Sequence, residues 1–228
     1  MSRKRKHSLA LVLLLTALGI TASADAADEF HCSNEPCRLT AKPDGTGKSA
    51  HHILIFENET TTESVVFTCG NLNGEAQFTG GVAAELTLTN LSYSSCNFLF
   101  GGEHPISIIF NGCDYRFRSV GGTTDEAKLA VICPAGKVLE IKYGECSIAI
   151  SSFESAGVGL QTVGVAPNRE ITATLNHLTI PTSQIKFNGT KNQCFINPSQ
   201  NLVATYTTGN TLFTGETEGG VMADAWYQ

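Results

Sequence analysis

Short runs rich in Val, Ile, Phe, Thr and Tyr recur along the whole chain, and many alternate apolar with polar positions. In Glu85-Leu86-Thr87-Leu88-Thr89 the leucines share one face and the polar residues the other, the period of two that marks a half-buried antiparallel strand. Ile53-Leu54-Ile55-Phe56 is apolar on both faces and belongs inside a core. The same reading predicts strands over Ala50 to Phe56, Ser64 to Cys69, Glu85 to Thr89, Ile106 to Phe110 and Tyr115 to Arg118. It continues with Leu129 to Cys133, Val138 to Tyr143, Ser147 to Ile150, Ile171 to Leu175 and Leu202 to Thr207. Turn chemistry separates them at Pro43-Asp44-Gly45, Gly80-Gly81, Gly101-Gly102, Gly121-Gly122 and Pro134-Ala135-Gly136. Downstream of residue 26, the longest helical periodicity is the C-terminal Val221 to Trp226. Many short strands at spacings of about ten residues predict an all-β chain of antiparallel sheets, as a sandwich, a barrel or stacked sheets.

The first 26 residues follow a different pattern. Arg3, Lys4, Arg5 and Lys6 precede an apolar stretch from Ser8 to Ile20, and small residues at Ala22-Ser23-Ala24 or Ala24-Asp25-Ala26 follow. That is the order of a cleaved export signal, and the apolar stretch is well short of the roughly 20 residues that cross a bilayer. Cleavage after Ala26 leaves 11 basic against 20 acidic side chains, about −9. An acidic chain without a basic stripe disfavours nucleic acid and anionic lipid and favours neutral or basic partners. The expectation is a secreted, extracellular protein with no transmembrane segment in residues 27–228, where a cell-surface or extracellular polymer or protein is the expected kind of partner.

Eight cysteines follow the signal, and an even number in an exported chain argues for disulfides. Residues 27–228 can form a single large β-domain; the alternative is two β-subdomains with a boundary near 101–104, which leaves even cysteine numbers on each side. Gly121-Gly122 would split the cysteines five and three, and reads better as a hairpin tip. Hairpin geometry then suggests a connectivity. Cys113 and Cys133 are equidistant from residue 123, so flanking strands would place them opposite each other. Cys69 and Cys96 are centred near Val82, Cys32 and Cys37 could close a short loop, and Cys146 and Cys194 remain to join distant strands.

Candidate chemistry is sparse. His31, Cys32, Cys37, His51 and His52 lie within 22 residues and could in principle hold zinc, but the spacing is loose and the compartment favours disulfides, so no metal or other cofactor is expected. Asp44-Gly45-Thr46-Gly47 is better explained as a turn than as an aspartic-protease loop. No nucleophile elbow, zinc helix, phosphate loop or calcium loop is present, and no catalytic residue is nominated. Paired carboxylates for glycoside hydrolysis are the least implausible catalytic alternative, drawn from Glu57, Glu59, Asp114, Glu140, Glu154 and Glu170. The single tryptophan, Trp226, reads as an anchor packing the C-terminal tail onto a sheet. The Asn-x-Ser/Thr triplets at Asn58, Asn90 and Asn188 occur about as often as composition alone would produce.

The string from Phe30-His31-Cys32-Ser33-Asn34-Glu35-Pro36-Cys37 through Asn111-Gly112-Cys113-Asp114-Tyr115 and Pro167-Asn168-Arg169-Glu170 to Tyr206-Thr207-Thr208-Gly209-Asn210-Thr211 resembles uncharacterised exported bacterial β-rich proteins. The resemblance implies a bacterial exported context and supplies no site residue. The functional expectation is therefore a noncatalytic role in binding, adhesion or surface structure, with a secreted glycan hydrolase as the alternative.

Overall fold

The computed structural model describes residues 28–43, 52–99, 103–120, 125–197 and 202–228. The expected export signal at 1–26, the expected turn at 44–47, His51 and the glycine pairs at 101–102 and 121–122 lie outside them. The chain enters through β1 (Phe30–Cys32) and runs on as β2 (Cys37–Pro43). An excursion forms the hairpin β3 (His52–Asn58) and β4 (Ser64–Cys69), after which β5 (Asn71–Phe78), β6 (Val82–Ala83) and β7 (Glu85–Ser94) follow. A second excursion makes β8 (Asn97–Leu99), β9 (Glu103–Pro105) and β10 (Ser107–Ile109), before β11 (Asp114–Ser119) and β12 (Glu126–Ile132). A third makes β13 (Leu139–Tyr143) and β14 (Cys146–Ile150), before β15 (Phe153–Val163) and β16 (Glu170–Leu175). The fourth contains β17 (Leu178–Ile180), a 3-10 turn, β18 (Ile185–Asn188), the short helix α1 (Lys191–Cys194) and β19 (Leu202–Thr208). The chain closes with β20 (Thr211–Thr217), β21 (Met222–Ala223) and β22 (Ala225–Tyr227).

Eight of these strands, in the order β16-β15-β12-β11-β7-β5-β2-β20, form an antiparallel barrel that β20 closes by pairing back to β16. Spatial order follows chain order, so successive connections leave from alternate ends. All four excursions therefore leave from the same end. Their strands assemble into a six-stranded sheet, β17-β19-β3-β4-β8-β9, and a four-stranded sheet, β10-β13-β14-β18. Between these sheets lies an aromatic core in which Phe67 meets Phe56, Phe98 and Tyr143 at ring separations of 5.9, 5.5 and 5.2 Å. The two sheets form a sandwich mounted on one mouth of the barrel. Barrel and sandwich are interleaved along the chain, and β8, which precedes 101–104, pairs within one sheet with β9, which overlaps it.

The barrel interior is filled rather than hollow: Leu39, Leu86, Leu88, Leu129, Leu160 and Phe213 are all fully buried. Eight strands enclose a space that side chains of this size can pack. Alternate positions face outward and carry charge. Glu85 pairs with Arg116 and Arg118, Glu154 with Arg118 and Lys128, and Glu216 with Arg38 and Lys42. Such a charged wall belongs in water, since a lipid-facing barrel carries an apolar band there. No helix among the described residues is long and apolar enough to cross a membrane.

The other mouth is closed by the sheet β22-β1-β6, in which both chain ends take part. Phe30 and Tyr227 point into the barrel, while His31 and Trp226 occupy the opposite face and stack at 5.0 Å. The C-terminal segment is thus extended, not helical: the spacing of Val221, Met222 and Trp226 imitates a helical face, but pairing with β20 and β1 decides its conformation. Trp226 does anchor the tail, flanked by His31 and by the Arg169 guanidinium 3.9 Å from its ring centre.

Candidate functional site

The four disulfides join Cys32 with Cys37, Cys69 with Cys96, Cys113 with Cys133 and Cys146 with Cys194. Two of them brace the places where excursions leave the barrel. Cys113 and Cys133 continue the β11–β12 ladder just beyond the Asp114–Ile132 pair, with Cα atoms 4.0 Å apart. Cys69 and Cys96 prolong the β4–β8 pairing directly above the β5–β7 ladder. Cys146–Cys194 lies within the sandwich and ties α1 to β14. Cys32 and Cys37 are spent on each other and His31 stacks on Trp226, so this stretch is engaged in closing the barrel rather than in gathering metal ligands.

His52 is buried at the junction of barrel and sandwich, where its Nδ1 lies 2.7 Å from the Tyr206 hydroxyl. That hydroxyl bonds to Tyr93, whose own hydroxyl is 3.1 Å from Tyr115. The chain of polar groups links β3 and β19 of the sandwich to β7 and β11 of the barrel. Burial pushes the phenols of Tyr93, Tyr115 and Tyr206 well above the usual tyrosine range, so they act as neutral hydrogen-bonding groups. The adjoining cavity holds about 40 Å³ and is walled largely by Leu54, Leu129, Val131 and Ile141. That is room for about one or two waters. The network joins the two units, and the cavity beside it is too small for a substrate.

The acidic side chains have mostly structural partners. Glu140 pairs with Lys142, Glu154 with Arg118 and Lys128, and Glu170 accepts a hydrogen bond from the Thr214 hydroxyl. Glu57 and Glu59 are exposed. Asp114 lines an open groove of about 420 Å³, and its carboxyl is pushed up by desolvation. The amides beside it are already committed: Asn90 Nδ2 donates to Glu75 at 2.5 Å, and Asn111 Nδ2 donates to the Val138 carbonyl at 2.9 Å. Among the glycosylation triplets, Asn58 is buried, its carbonyl oxygen accepting from the Thr60 and Thr61 backbone N–H groups.

A better-equipped cleft, of about 410 Å³, opens on the sandwich where β8, β9, the β13–β14 turn and α1 meet. Phe98, Tyr143 and Phe195 supply its apolar surface and His104, Glu145, Asn192 and Gln193 its polar one. Phe98 and Tyr143 are buried and pack on each other at 4.8 Å. The Tyr143 hydroxyl donates to the Cys194 carbonyl at 2.6 Å, which holds the end of α1 against the floor. Phe195 follows at once. It is 41% exposed, with its ring 5.4 Å from Phe98 and inclined to it by 29°.

Phe195 has φ 56° and ψ 9°, the left-handed conformation that ends a helix. Glycine or asparagine takes that position at least cost; a bulky residue there is an outlier held in place by its surroundings. The preceding Cys194 is locked to β14 by its disulfide, and Lys191 pairs with Glu63. The polar rim is equally fixed. Gln193 accepts from the Thr190 N–H at 2.7 Å and donates to Glu145 Oε2 at 2.6 Å, so amide and carboxylate orient each other. No residue of this cleft is apparent as a site from sequence, because its parts come from positions 98 to 195 and only the fold collects them.

Compared with known protein families, curated proteins and solved structures, the chain matches none. Its function must be argued from its own geometry.

Proposed function

We propose that this protein is an exported, disulfide-braced binding module that acts without catalysis, holding an extracellular or cell-surface polymer or protein in the cleft beside α1. Four disulfides and the signal-like residues 1–26 support an oxidising, exported location. The observation that carries the reading is Phe195: a half-exposed ring kept in a strained backbone conformation, at the lip of a cleft whose polar rim is already oriented. Backbone strain of this kind concentrates where a side chain must be presented. A hydrolytic role has less support, since Glu145 is the one carboxylate among the described residues that line the cleft and glycoside hydrolysis calls for two.

The test is retention of the oxidised mature chain on cell envelopes and on immobilised extracellular polymers, with Phe195→Gly alongside. Saturable retention that drops about tenfold in the variant is expected, the worth of one aromatic contact. Retention indifferent to Phe195, or time-dependent release of soluble fragments from the polymer, would refute the proposal.

A further inference from the structure

Resting on the reading of an exported chain, we infer that the eight thiols are oxidised in the order in which they emerge, by a dithiol oxidase acting on the unfolded chain, with no later isomerisation of wrong pairs. Counted along the chain, the cysteines pair first with second, third with fourth, fifth with sixth and seventh with eighth. No link encloses a cysteine of another. Of the roughly 100 ways to pair eight cysteines, this is the set that results when each newly exposed thiol joins the one still unpaired behind it.

Proximity alone predicts a different outcome. Cys133 is 13 residues from Cys146 but 20 from its partner Cys113, and Cys113 is 17 from Cys96, whose partner Cys69 is 27 away. Closing a loop costs entropy that rises with about three halves of the logarithm of its length, so in a complete unfolded chain each of these wrong pairs is favoured about twofold over the native one. Against Cys194, 48 residues away, capture of Cys146 by Cys133 is favoured about sevenfold. Emergence from the N-terminal end removes the competition. Cys69 meets Cys96 before Cys113 appears, and Cys113 meets Cys133 across the β11–β12 hairpin before Cys146 appears. Sorting by the finished fold is blocked, because Cys146 is 1% exposed and Cys194 0%, and a protein oxidant reaches neither sulfur once α1 has docked on β14. At each link one cysteine thiolate attacks the oxidant's disulfide, giving a mixed disulfide and one oxidant thiol, and the second cysteine thiolate then displaces the oxidant as a dithiol. Two electrons and two protons pass to the oxidant each time, so four links consume four oxidant disulfides.

The experiment expresses the full chain, residues 1–228, in a bacterial host that keeps its periplasmic dithiol oxidase and lacks its disulfide isomerase. Free thiols are alkylated at harvest, and the links are mapped by peptide analysis without reduction. The native set is expected as the main wild-type product, in the same yield as with the isomerase present. In Cys113→Ala, Cys133 is left waiting when Cys146 emerges, so a Cys133–Cys146 link with Cys194 alkylated is expected. An intact Cys146–Cys194 link with Cys133 alkylated would mean that the fold selects the pairs, and overturns the inference. Bulk oxidation does not depend on how that variant folds. Reduced wild-type chain in guanidinium, oxidised by glutathione disulfide, should form Cys133–Cys146 about twice as often as Cys113–Cys133. Preference for the native pair under those conditions, or mispaired wild type from the isomerase-free host, likewise overturns it. Wild-type chain that stays reduced in the cytoplasm overturns the export reading instead; a leader of proven function then replaces residues 1–26, and the same mapping decides the order.

Discussion

Tyr206→Phe removes one oxygen from the centre of the buried polar chain and should cost about twice as much as the same change at its end. The Tyr206 hydroxyl lies 2.7 Å from His52 Nδ1 and also bonds to Tyr93. Without it, two buried groups each lose a partner in surroundings walled by leucine, isoleucine and valine. Tyr93 keeps its bond to Tyr115, so the substitution removes two hydrogen bonds of about 1 kcal/mol each and should destabilise by about 2 kcal/mol. Tyr115→Phe leaves Tyr93 still bonded to Tyr206 and should cost about 1 kcal/mol. For a chain of this size those values correspond to losses of about 4–8 °C and about 2–4 °C in Tm. Urea unfolding with disulfides intact, followed by circular dichroism, gives both numbers from the shift in midpoint at constant slope. The adjacent cavity of about 40 Å³ has room for a water that could take over both bonds. Equal losses in the two variants, or a Tyr206→Phe protein within about 0.5 kcal/mol of wild type, would refute the idea that this network fixes the sandwich on the barrel.

Other parts of the structure make separate demands. Paired Cys→Ser substitutions should destabilise in the order of loop length: Cys146–Cys194, spanning 48 residues, by about 4 kcal/mol, and Cys32–Cys37, spanning 5, by about 2 kcal/mol; differential scanning calorimetry ranks them. Gly215→Ala should destabilise by about 1–3 kcal/mol, because the new Cβ would sit 2.6 Å from the Ala223 carbonyl oxygen, which β20–β21 pairing holds in place; the urea midpoint checks this. The Arg169 guanidinium, bonded to both Asp224 oxygens, holds that carboxyl below the ordinary aspartate range. A lowered folded value means the stabilisation is complete above the unfolded pKa of about 3.9 and lost as pH falls through the folded one. Trp226 fluorescence should therefore report opening of the plug below about pH 4. In Asp224→Asn that acid step should vanish, and its persistence would assign it to another group.

The legible part of the fold was the part where local pattern and tertiary role agree. Glu85 to Thr89 alternates because β7 has one face in the barrel and one in water, and the structure buries Leu86 and Leu88 accordingly. Strand β5, Asn-Leu-Asn-Gly-Glu-Ala-Gln-Phe, has the same alternation of burial but almost none of the residues that favour strands, since small Gly74 and Ala76 suffice inside a crowded barrel. Strand β15 is masked in a similar way by Gly157 and Gly159, beside an irregular register with β12. Cysteine pairing was accessible because Cys113 and Cys133 belong to one hairpin, where symmetry about the tip is equivalent to cross-strand register. Barrel closure was not, because β16 with β20 and β2 with β20 are long-range pairings that no short pattern encodes. The cleft belongs to the same kind: Phe98, Glu145 and Phe195 are ordinary residues until the Cys146–Cys194 link and the β8–β4 pairing put them side by side.

The asymmetry of the barrel gives a physical reason to look for function at the sandwich. One mouth is closed by both chain ends, with Trp226, Arg169, Asp224 and His31 engaged with one another. The opposite mouth bears every excursion, and disulfides brace the departures next to β5, β7, β11 and β12. Loops that leave a rigid frame normally carry recognition but lose entropy when a ligand orders them. Folding the excursions into paired sheets and bracing them covalently removes most of that loss before binding. Strain at one presented ring is then affordable, because the sandwich core of Phe67, Phe98 and Tyr143 and the Cys146–Cys194 link over-determine the backbone around Phe195. By the same argument, affinity should depend on the Cys146–Cys194 link more than on Cys32–Cys37, which lies at the far mouth; equal sensitivity to the two would show that the cleft is not preorganised by its disulfide.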